Sequence, residues 1–172
     1  MKGAFLYTVR LTRVPENGVL TQEDVRLSSA DLGLSGHFDP TGVSSSWELT
    51  RMMGKVYGKM RAEGLLHLNC GRCLRDFSAP AKTEFAVLFE PRQRPADRGR
   101  GREEAPEDDE DDSEDAGPTA VFFDGEELPL GEELRQELEL AVPYNALCSG
   151  TCRGLCPRCG ANLNDGPCAC IK

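Results

Sequence analysis

Eight cysteines are the residues of this 172-residue chain whose chemistry is most informative. Six of them lie in the last 29 residues, and the other two form a Cys-x-x-Cys pair near the middle of the chain. Two thiolates separated by two residues can bind the same metal ion, and structural Zn²⁺ is held by four ligands in a tetrahedron. The spacing therefore predicts two zinc ions, with the ligands Cys70, Cys73, Cys148, Cys152, Cys156, Cys159, Cys168 and Cys170.

The division of the eight thiols between two sites follows from their spacing. The last four cysteines can form one local site, because only eight residues separate Cys159 from Cys168. The central pair would then join Cys148 and Cys152, which closes a loop of more than 70 residues. Other pairings and a bridged cluster remain open, because Cys152 and Cys156 are also separated by three residues.

Disulfides, a redox pair and an iron–sulfur cluster are the alternatives to zinc. Disulfides are typical of oxidising compartments, and we expect this chain to stay in a reducing cytoplasm because its first residues lack the features of an export signal. A thioredoxin-like pair at Cys70 and Cys73 would begin a helix after a parallel strand. Here the pair follows a strand of a predicted antiparallel meander. The iron–sulfur cluster stays open as a third use of the thiols.

No pattern of catalytic residues accompanies the cysteines. A catalytic zinc keeps an open coordination position and usually has histidine or carboxylate ligands, whereas two complete four-cysteine sites leave no position open. The chain has two histidines, His37 in a glycine-rich loop and His67 in a predicted strand, and neither belongs to a Ser-His-Asp or HExxH pattern. We therefore expect a protein that is not an enzyme.

Hydrophobic patterns predict an α+β fold: a small antiparallel β-sheet with one packed helix and a cysteine-rich zinc-binding C-terminal end. Alternating side chains predict a first strand from Ala4 to Leu11. Frequent glycine and proline predict that residues 14–42 are irregular or form short extended pieces, too interrupted for a long element, and do not favour a helix there. Leucines at four-residue spacing predict a helix over Leu130 to Leu140, which Pro143 ends.

The sheet itself is predicted between Ser45 and Phe89. Short apolar runs separated by turn residues are typical of an antiparallel meander. Its predicted strands, with a break at Glu63-Gly64, are Trp47 to Met53, Lys55 to Arg61, Leu65 to Asn69 and Lys82 to Phe89.

One segment accounts for the net charge of −9. Residues 95–127 contain 3 basic and 14 acidic side chains, whereas residues 1–94 contain 13 basic and 10 acidic ones. An acidic run without large apolar side chains cannot offset its ordering entropy, so we expect disorder there, either as a solubilising insert or as a competitor of phosphate for a basic surface.

The predicted organisation is residues 1–94 mainly antiparallel β, 95–118 an acidic disordered loop, 119–147 an extended segment and the helix that complete the same domain, and 148–172 a cysteine-rich zinc-binding tail.

A run of cations on one predicted strand is the best candidate for a functional surface. Side chains alternate between the faces of a strand, so from Lys55 to Ala62 three cations and one tyrosine share a face. Looped or single-stranded RNA requires a positive groove with an aromatic ring, although an ordinary charged sheet face has the same pattern. The predicted RNA contacts are Lys55, Tyr57, Lys59, Arg61, Arg72 and Arg75. An alternative surface consists of the arginines near the predicted zinc ligands: Arg72, Arg75, Arg153 and Arg158.

The two cysteine regions together resemble a known family. The first contains Leu68-Asn69-Cys70-Gly71-Arg72-Cys73-Leu74, and the second is the tail LELAVPYNALCSGTCRGLCPRCGANLNDGPCAC, which starts at Leu138. They resemble the YceD family, the large ribosomal RNA subunit accumulation proteins, over roughly residues 43–90 and 119–170. The resemblance implies a bacterial cytoplasmic factor, related to plastid proteins, that is needed for accumulation of 23S ribosomal RNA and binds it.

With this resemblance, we expect a non-enzymatic factor for large ribosomal subunit biogenesis that binds 23S ribosomal RNA in the cytoplasm. The alternative is a zinc-stabilised protein-interaction module whose zinc end binds a large-subunit ribosomal protein without contacting RNA. We expect no membrane partner, because the longest stretch without a formal charge, Leu140 to Cys152, has 13 residues and includes a proline.

Overall fold

A five-stranded β-sheet forms the body of the molecule. The computed structural model describes residues 7–92 and 118–170 of the chain. The elements in chain order are β1 (Val9–Arg10), a 3₁₀ turn (Leu11–Arg13), β2 (Val19–Leu27), α1 (Ser29–Leu32), β3 (Val43–Met52), β4 (Lys55–Asn69), β5 (Asp76–Pro91), β6 (Thr119–Phe123), β7 (Glu127–Leu128) and α2 (Leu130–Leu140). The main sheet has the strand order β2-β3-β4-β5-β6, and β1 pairs with β7 in a separate two-stranded sheet.

The predicted α+β class, with a small sheet and one packed helix, is confirmed. Strands β2 to β5 pair antiparallel, as expected for a meander. Strand β6 lies parallel to β5, so the sheet is mixed. A five-residue strand shows the same alternation of side chains whichever way it runs, so its direction could not be predicted from its residues.

Strand β4 is continuous, and the predicted break at Glu63-Gly64 is wrong. A Cβ atom at Gly64 would lie 2.7 Å from Cγ1 of Val43, a buried residue of β3. The glycine therefore makes room for a core side chain instead of ending the strand. Strand β5 is also longer than predicted, because it begins at Asp76 and not at Lys82.

Gly64→Ala should destabilise the protein by about 1 to 3 kcal/mol, because the added methyl group overpacks the core. Gly36→Ala is the matched control, since no atom lies within 4 Å of a Cβ atom built there. Chemical denaturation of both variants measures the difference. Equal midpoints would show that the sheet accommodates a side chain at Gly64 without strain.

Two segments near the N-terminus differ from the prediction. Residues 14–42 contain the nine-residue strand β2 and the single helical turn α1. Extended structure is present there as predicted, but the prediction of no long element is wrong for β2 and the prediction against a helix is wrong for α1. Strand β2 lies at the sheet edge, is mostly exposed and contains a bulge, so it lacks the apolar alternation of a buried strand. Of the predicted strand Ala4 to Leu11, residues 4–6 lie outside the described residues. Of the rest, only Val9–Arg10 is a strand, and Leu11 begins the 3₁₀ turn.

Helix α2 has the predicted bounds and packs on the inner face of the sheet. Leu130, Leu134 and Leu138 are each 0% exposed, as their four-residue spacing predicts. They belong to the core that also contains Trp47 of β3. The helix thereby anchors the loop that follows it. Within residues 7–92 and 118–170, no helix is long and apolar enough to cross a membrane.

The acidic segment predicted to be disordered, residues 95–118, lies outside the described residues except for its last position. Its disorder stays a prediction, as do the domain boundaries proposed at its ends and before residue 148. The described strands on either side of the segment, β5 and β6, pair with each other in the main sheet.

Candidate metal centre

Four cysteines from two distant parts of the chain meet at one end of the main sheet. Cys70 and Cys73 lie between β4 and β5, and Cys148 and Cys152 lie in the loop after α2. The Sγ atoms of Cys70 and Cys152 are 3.7 Å apart. Those of Cys73 and Cys148 are 3.6 Å apart, and all four lie within 4.8 Å of one another. Tetrahedral zinc with bonds of about 2.3 Å needs sulfur–sulfur distances of about 3.8 Å, so this first cluster has the size of a zinc site.

Backbone hydrogen bonds shape the turn that carries the first two thiols. The N–H of Cys70 donates to the Arg75 carbonyl, and the N–H of Leu74 donates to the Cys70 carbonyl, both at 2.9 Å. Leu74 adopts a left-handed φ of 58° at the end of the turn. The N–H of Gly71 donates to the Ala146 carbonyl at 2.8 Å, which holds the turn against the loop carrying the other two thiols.

The thiols of the first cluster are chemically unequal. Backbone N–H groups of Cys148 and Cys73 stabilise the thiolate of Cys70 and lower its pKa to about 6. The thiol of Cys148 is hydrogen-bonded to that of Cys73, and its pKa is raised to about 12. Zinc binds thiolates, so metal binding must displace the proton that Cys148 keeps at neutral pH.

A second cluster contains the last four predicted ligands. The Sγ atoms of Cys156, Cys159, Cys168 and Cys170 all lie within 4.8 Å of one another. Its turn repeats the first one, because the N–H of Gly160 donates to the Cys156 carbonyl at 2.9 Å and Gly160 has a left-handed φ of 73°. Backbone N–H groups of Arg158 and Cys159 lower the pKa of Cys156 to about 7. Cys159 is exposed, so the second cluster is closer to solvent than the first.

Polar contacts join the two clusters. Asn164, from the loop of the second cluster, donates from Nδ2 to Sγ of Cys152 at 3.4 Å and lowers the pKa of that thiol. Its Oδ1 accepts the N–H of Arg153 at 2.8 Å. Arg75 and Asp165 form an ion pair at 2.8 Å between the same two regions. The clusters are therefore parts of one structural unit.

Asn164→Ala should weaken metal binding at the first cluster by about 10- to 100-fold, because hydrogen bonds to the ligands of a metal tune its affinity. Competition with a chromogenic zinc chelator measures the loss. Asn69→Ala is the matched control, since the Asn69 amide bonds Asp76 and, among the described residues, no cysteine. Identical zinc retention in the two variants would show that the Asn164 contact does not support the Cys152 thiolate.

The cations predicted on β4 lie on the outer face of the sheet, where Lys55, Lys59 and Arg61 are exposed and Tyr57 is half-buried. Two of the three cations form ion pairs with carboxylates of β5, Lys55 with Glu90 at 2.6 Å and Arg61 with Glu84 at 2.9 Å. The third cation, Lys59, lies opposite Glu48 of β3 in the strand register. This face therefore carries matched charges instead of a positive groove.

Three further arginines lie on the turns of the two clusters. Arg72 and Arg158 occupy the same position, directly before the second cysteine of their turns, and Arg153 follows Cys152. All three are exposed, and no carboxylate of the described residues lies within ion-pair distance of them. Arg72 donates from Nη1 to the Cys152 carbonyl at 3.0 Å, which fixes it beside the first cluster. The cysteine end thus presents positive charge to solvent.

The two histidines connect a loop to the sheet. The Nε2 atom of His67 lies 3.0 Å from Oδ2 of Asp39, and its Nδ1 lies 3.0 Å from Oγ of Ser78. Hydrogen bonds from Thr41 and His67 lower the pKa of Asp39 to about 2. The N–H of His67 donates to the His37 carbonyl at 2.7 Å. These contacts fasten the loop before β3 onto β4.

The sequence places Asn164 in the tail that carries the family resemblance but predicts no contact between it and a cysteine. A local signal is the Asn-x-Asn turn, in which Oδ1 of Asn162 accepts the Asn164 N–H at 3.0 Å. The ion pairs of the β4 cations were also not predicted. Those pairs follow from the register of β4 against β5, which the residues of β4 alone do not reveal.

Comparisons with a family model and with curated proteins give the same family description. A family model described as "Large ribosomal RNA subunit accumulation protein YceD" matches residues 58–172, which include all eight cysteines. Two similar curated proteins are both called large ribosomal RNA subunit accumulation protein YCED homolog 1, chloroplastic. The one from Zea mays is 28% identical over 172 residues, covering 86% of this chain and 57% of its own length. The one from Arabidopsis thaliana is 30% identical over 127 residues, covering 65% of this chain and 40% of its own length.

The chain therefore spans about half the length of the curated relatives it matches. No solved structure matches it.

Proposed function

This chain belongs to the YceD family, and from that membership we propose that it is a non-enzymatic factor for biogenesis of the large ribosomal subunit. It promotes accumulation of 23S ribosomal RNA by binding it, under the reducing conditions of the cytoplasm. The RNA contact is inferred from three exposed arginines on the turns of the cysteine clusters. Arg72, Arg153 and Arg158 have no carboxylate partner among the described residues.

Zinc fits both clusters. Four thiolates at these mutual distances suit a tetrahedral ion that prefers sulfur ligands. Each zinc ion would crosslink its turns, and the complete set of protein ligands gives it a structural role. The protein's own part is to present the thiolates, through the backbone N–H groups that lower the pKa of Cys70 and Cys156.

The arginines are suited to phosphate. A guanidinium group binds phosphate in a two-pronged geometry and keeps its charge at any physiological pH. A zinc ion with four thiolates is negatively charged overall, and the arginines around it offset that charge, so phosphate is not repelled from this end. The cations of β4 contribute less, because Lys55 and Arg61 must leave Glu90 and Glu84 before they can bind a phosphate.

A variant with Ala at Arg72, Arg153 and Arg158 should bind a ribosomal RNA fragment more weakly. The slope of log affinity against log salt should fall by about two to three units, following 0.7 to 0.9 per lost phosphate contact. Filter binding or fluorescence anisotropy at several salt concentrations measures both. Zinc content and thermal unfolding of the variant establish that the clusters remain intact.

The matched comparison is Lys55→Ala, Lys59→Ala and Arg61→Ala in one chain, which should change the slope less. Tyr57→Ala tests stacking separately and should leave the RNA affinity unchanged. A loss of about 1 to 3 kcal/mol of binding at unchanged slope would instead show that a base stacks on the ring. A large effect of the β4 changes and none of the arginine changes would place the RNA on the sheet, as the sequence pattern alone predicts.

A protein-interaction module is the second candidate, because the outer face of the sheet carries paired charges. If neither set of cations affects RNA affinity and binding shows no salt dependence, this function replaces the first. In that case the zinc-stabilised end would bind a large-subunit ribosomal protein without direct RNA contact.

A further inference from the structure

An exposed tyrosine lies on the loop that joins α2 to the first cluster. The side chain of Tyr144 is fully exposed, and two apolar side chains near the same cluster, Leu74 and Leu140, are also largely exposed. Among the described residues, the other exposed aromatic side chain is Phe122 on β6, at the opposite end of the sheet. Exposed apolar side chains grouped in one place are typical of a binding site.

The loop holds this tyrosine in a fixed position. Val142 and Ala146, on either side of Tyr144, pack against the hydrophobic core. The N–H of Val142 donates to the Glu139 carbonyl at 3.2 Å, and the Ala146 carbonyl accepts the N–H of Gly71 at 2.8 Å. The backbone is therefore anchored on both sides of an exposed ring. A tyrosine ring with few rotatable bonds on such a support loses little conformational entropy when it binds a ligand.

The same backbone contact brings the ring close to the exposed arginines. Gly71, which bonds the loop of Tyr144, directly precedes Arg72 in the turn of the first cluster. Arg72 in turn donates from Nη1 to the Cys152 carbonyl at 3.0 Å, and Arg153 is the next residue along the chain. Cations beside an exposed aromatic ring are the combination that binds single-stranded RNA, the cations through phosphates and the ring through a base.

An exposed ring also distinguishes unpaired from paired RNA. The bases of an A-form duplex are stacked on one another, so an aromatic side chain can stack only on a base that has left the helix. A duplex would contact the arginines through its phosphates alone. The outer face of the sheet offers no equivalent site, because Tyr57 is half-buried and the neighbouring Lys55 and Arg61 are paired with carboxylates.

We propose that Tyr144 is the stacking residue of the RNA site at the cysteine end, so that this site binds unpaired nucleotides. A base stacks on the ring, and the arginines of the cluster turns bind the flanking phosphates. This inference rests on the proposed function, since it assigns the class of RNA that the same site binds. The protein would then contact ribosomal RNA in loops, or in strands that have not yet formed helices.

The test uses the zinc-loaded full chain and two fluorescent RNA probes: a single strand of about 12 nucleotides without self-complementarity, and the same strand in a duplex with its complement. Tyr144→Ala should bind the single strand about 5- to 150-fold more weakly, at an unchanged salt slope, because it loses stacking and no phosphate contact. Its affinity for the duplex should not change. Tyr144→Phe keeps the ring and should bind both probes like the unchanged protein. The matched control is Phe122→Ala, which removes the exposed ring at the other end of the sheet and should leave both affinities unchanged.

Zinc content and melting temperature establish that each variant is folded. Full single-strand affinity in Tyr144→Ala, with weak binding by the variant that lacks Arg72, Arg153 and Arg158, would overturn the stacking inference and leave the proposed function standing. An equal loss of affinity for both probes would overturn it too, because the ring would then contact the RNA backbone. So would a loss in Tyr144→Phe as large as in Tyr144→Ala, which would assign the contact to the hydroxyl group. Full affinity in both the tyrosine and the arginine variants would contradict RNA binding at the cysteine end itself and leave the exposed ring to a protein partner.

Discussion

Cys73→Ser should leave the purified protein with one zinc ion instead of two and lower its melting temperature by on the order of 10 °C or more. Cys73 belongs to the first cluster and pairs with Cys148, which lies 75 residues away along the chain. This cluster fastens the β4–β5 turn to the loop after α2. Because a structural zinc site contributes its binding free energy to folding, its loss affects the whole sheet. Elemental analysis and scanning calorimetry measure the two quantities.

Cys156→Ser is the matched control for this prediction. It should also remove one zinc ion, but all four ligands of the second cluster lie within residues 156–170, so unfolding should be confined to the tail. The melting temperature of the sheet should fall by less than in Cys73→Ser, because the first cluster keeps its four cysteines and loses only the Asn164 and Asp165 contacts of the tail. The same melting temperature in both cysteine variants, or fewer than two zinc ions in the unchanged protein, would contradict the separate roles of the clusters.

Leu134→Ala should lower the free energy of unfolding by about 2 to 5 kcal/mol. The Leu134 side chain is 0% exposed in the core between α2 and the sheet, and its truncation leaves a cavity. Helix α2 also positions the loop that carries Cys148 and Cys152. The variant should therefore lose zinc from the first cluster to a chelator faster than the unchanged protein. Urea denaturation in the presence of zinc measures the stability change.

Leu140→Ala is the control on the same helix. Its side chain is 78% exposed, so the change should stay within about 0.5 kcal/mol. Similar losses of stability at both positions would mean that the helix does not pack through its leucines at four-residue spacing.

The metal clusters and the helix were predictable because their signals are local in the sequence. Two cysteines separated by two residues, as at Cys156 and Cys159, must lie close together in any fold. The spacing of Leu130, Leu134 and Leu138 likewise defines one face of a helix before any partner is known. The structure groups the last four cysteines as their local spacing favours, which leaves the pairs Cys70–Cys73 and Cys148–Cys152 to form the other set, and α2 has the predicted bounds.

The remaining features depend on partners far away in the chain, which local patterns do not contain. Strand β2 is mostly exposed, so its side chains show no apolar alternation that would predict a strand. Its antiparallel pairing with β3 holds it in the sheet. Lys55 and Glu90 are 35 residues apart, and only the register of two long strands brings them together. A glycine in an apolar run is compatible with a turn or with a close neighbour, and the sequence around Gly64 does not distinguish the two. The structure shows the close neighbour, Val43 of β3.

The separation of the ligands along the chain also sets an order of assembly. The second cluster draws its thiolates from a short stretch, so it can take up zinc while the rest of the chain is still unfolded. In the first cluster, Cys152 lies 82 positions after Cys70. Its ligands meet only after β4, β5 and α2 have docked, since closing so long a loop costs entropy before any contact offsets it. If both clusters bind zinc as proposed, uptake at the first cluster is limited by the folding rate of the sheet. A shortage of zinc during synthesis would then leave the first cluster empty in chains whose tail already holds its ion.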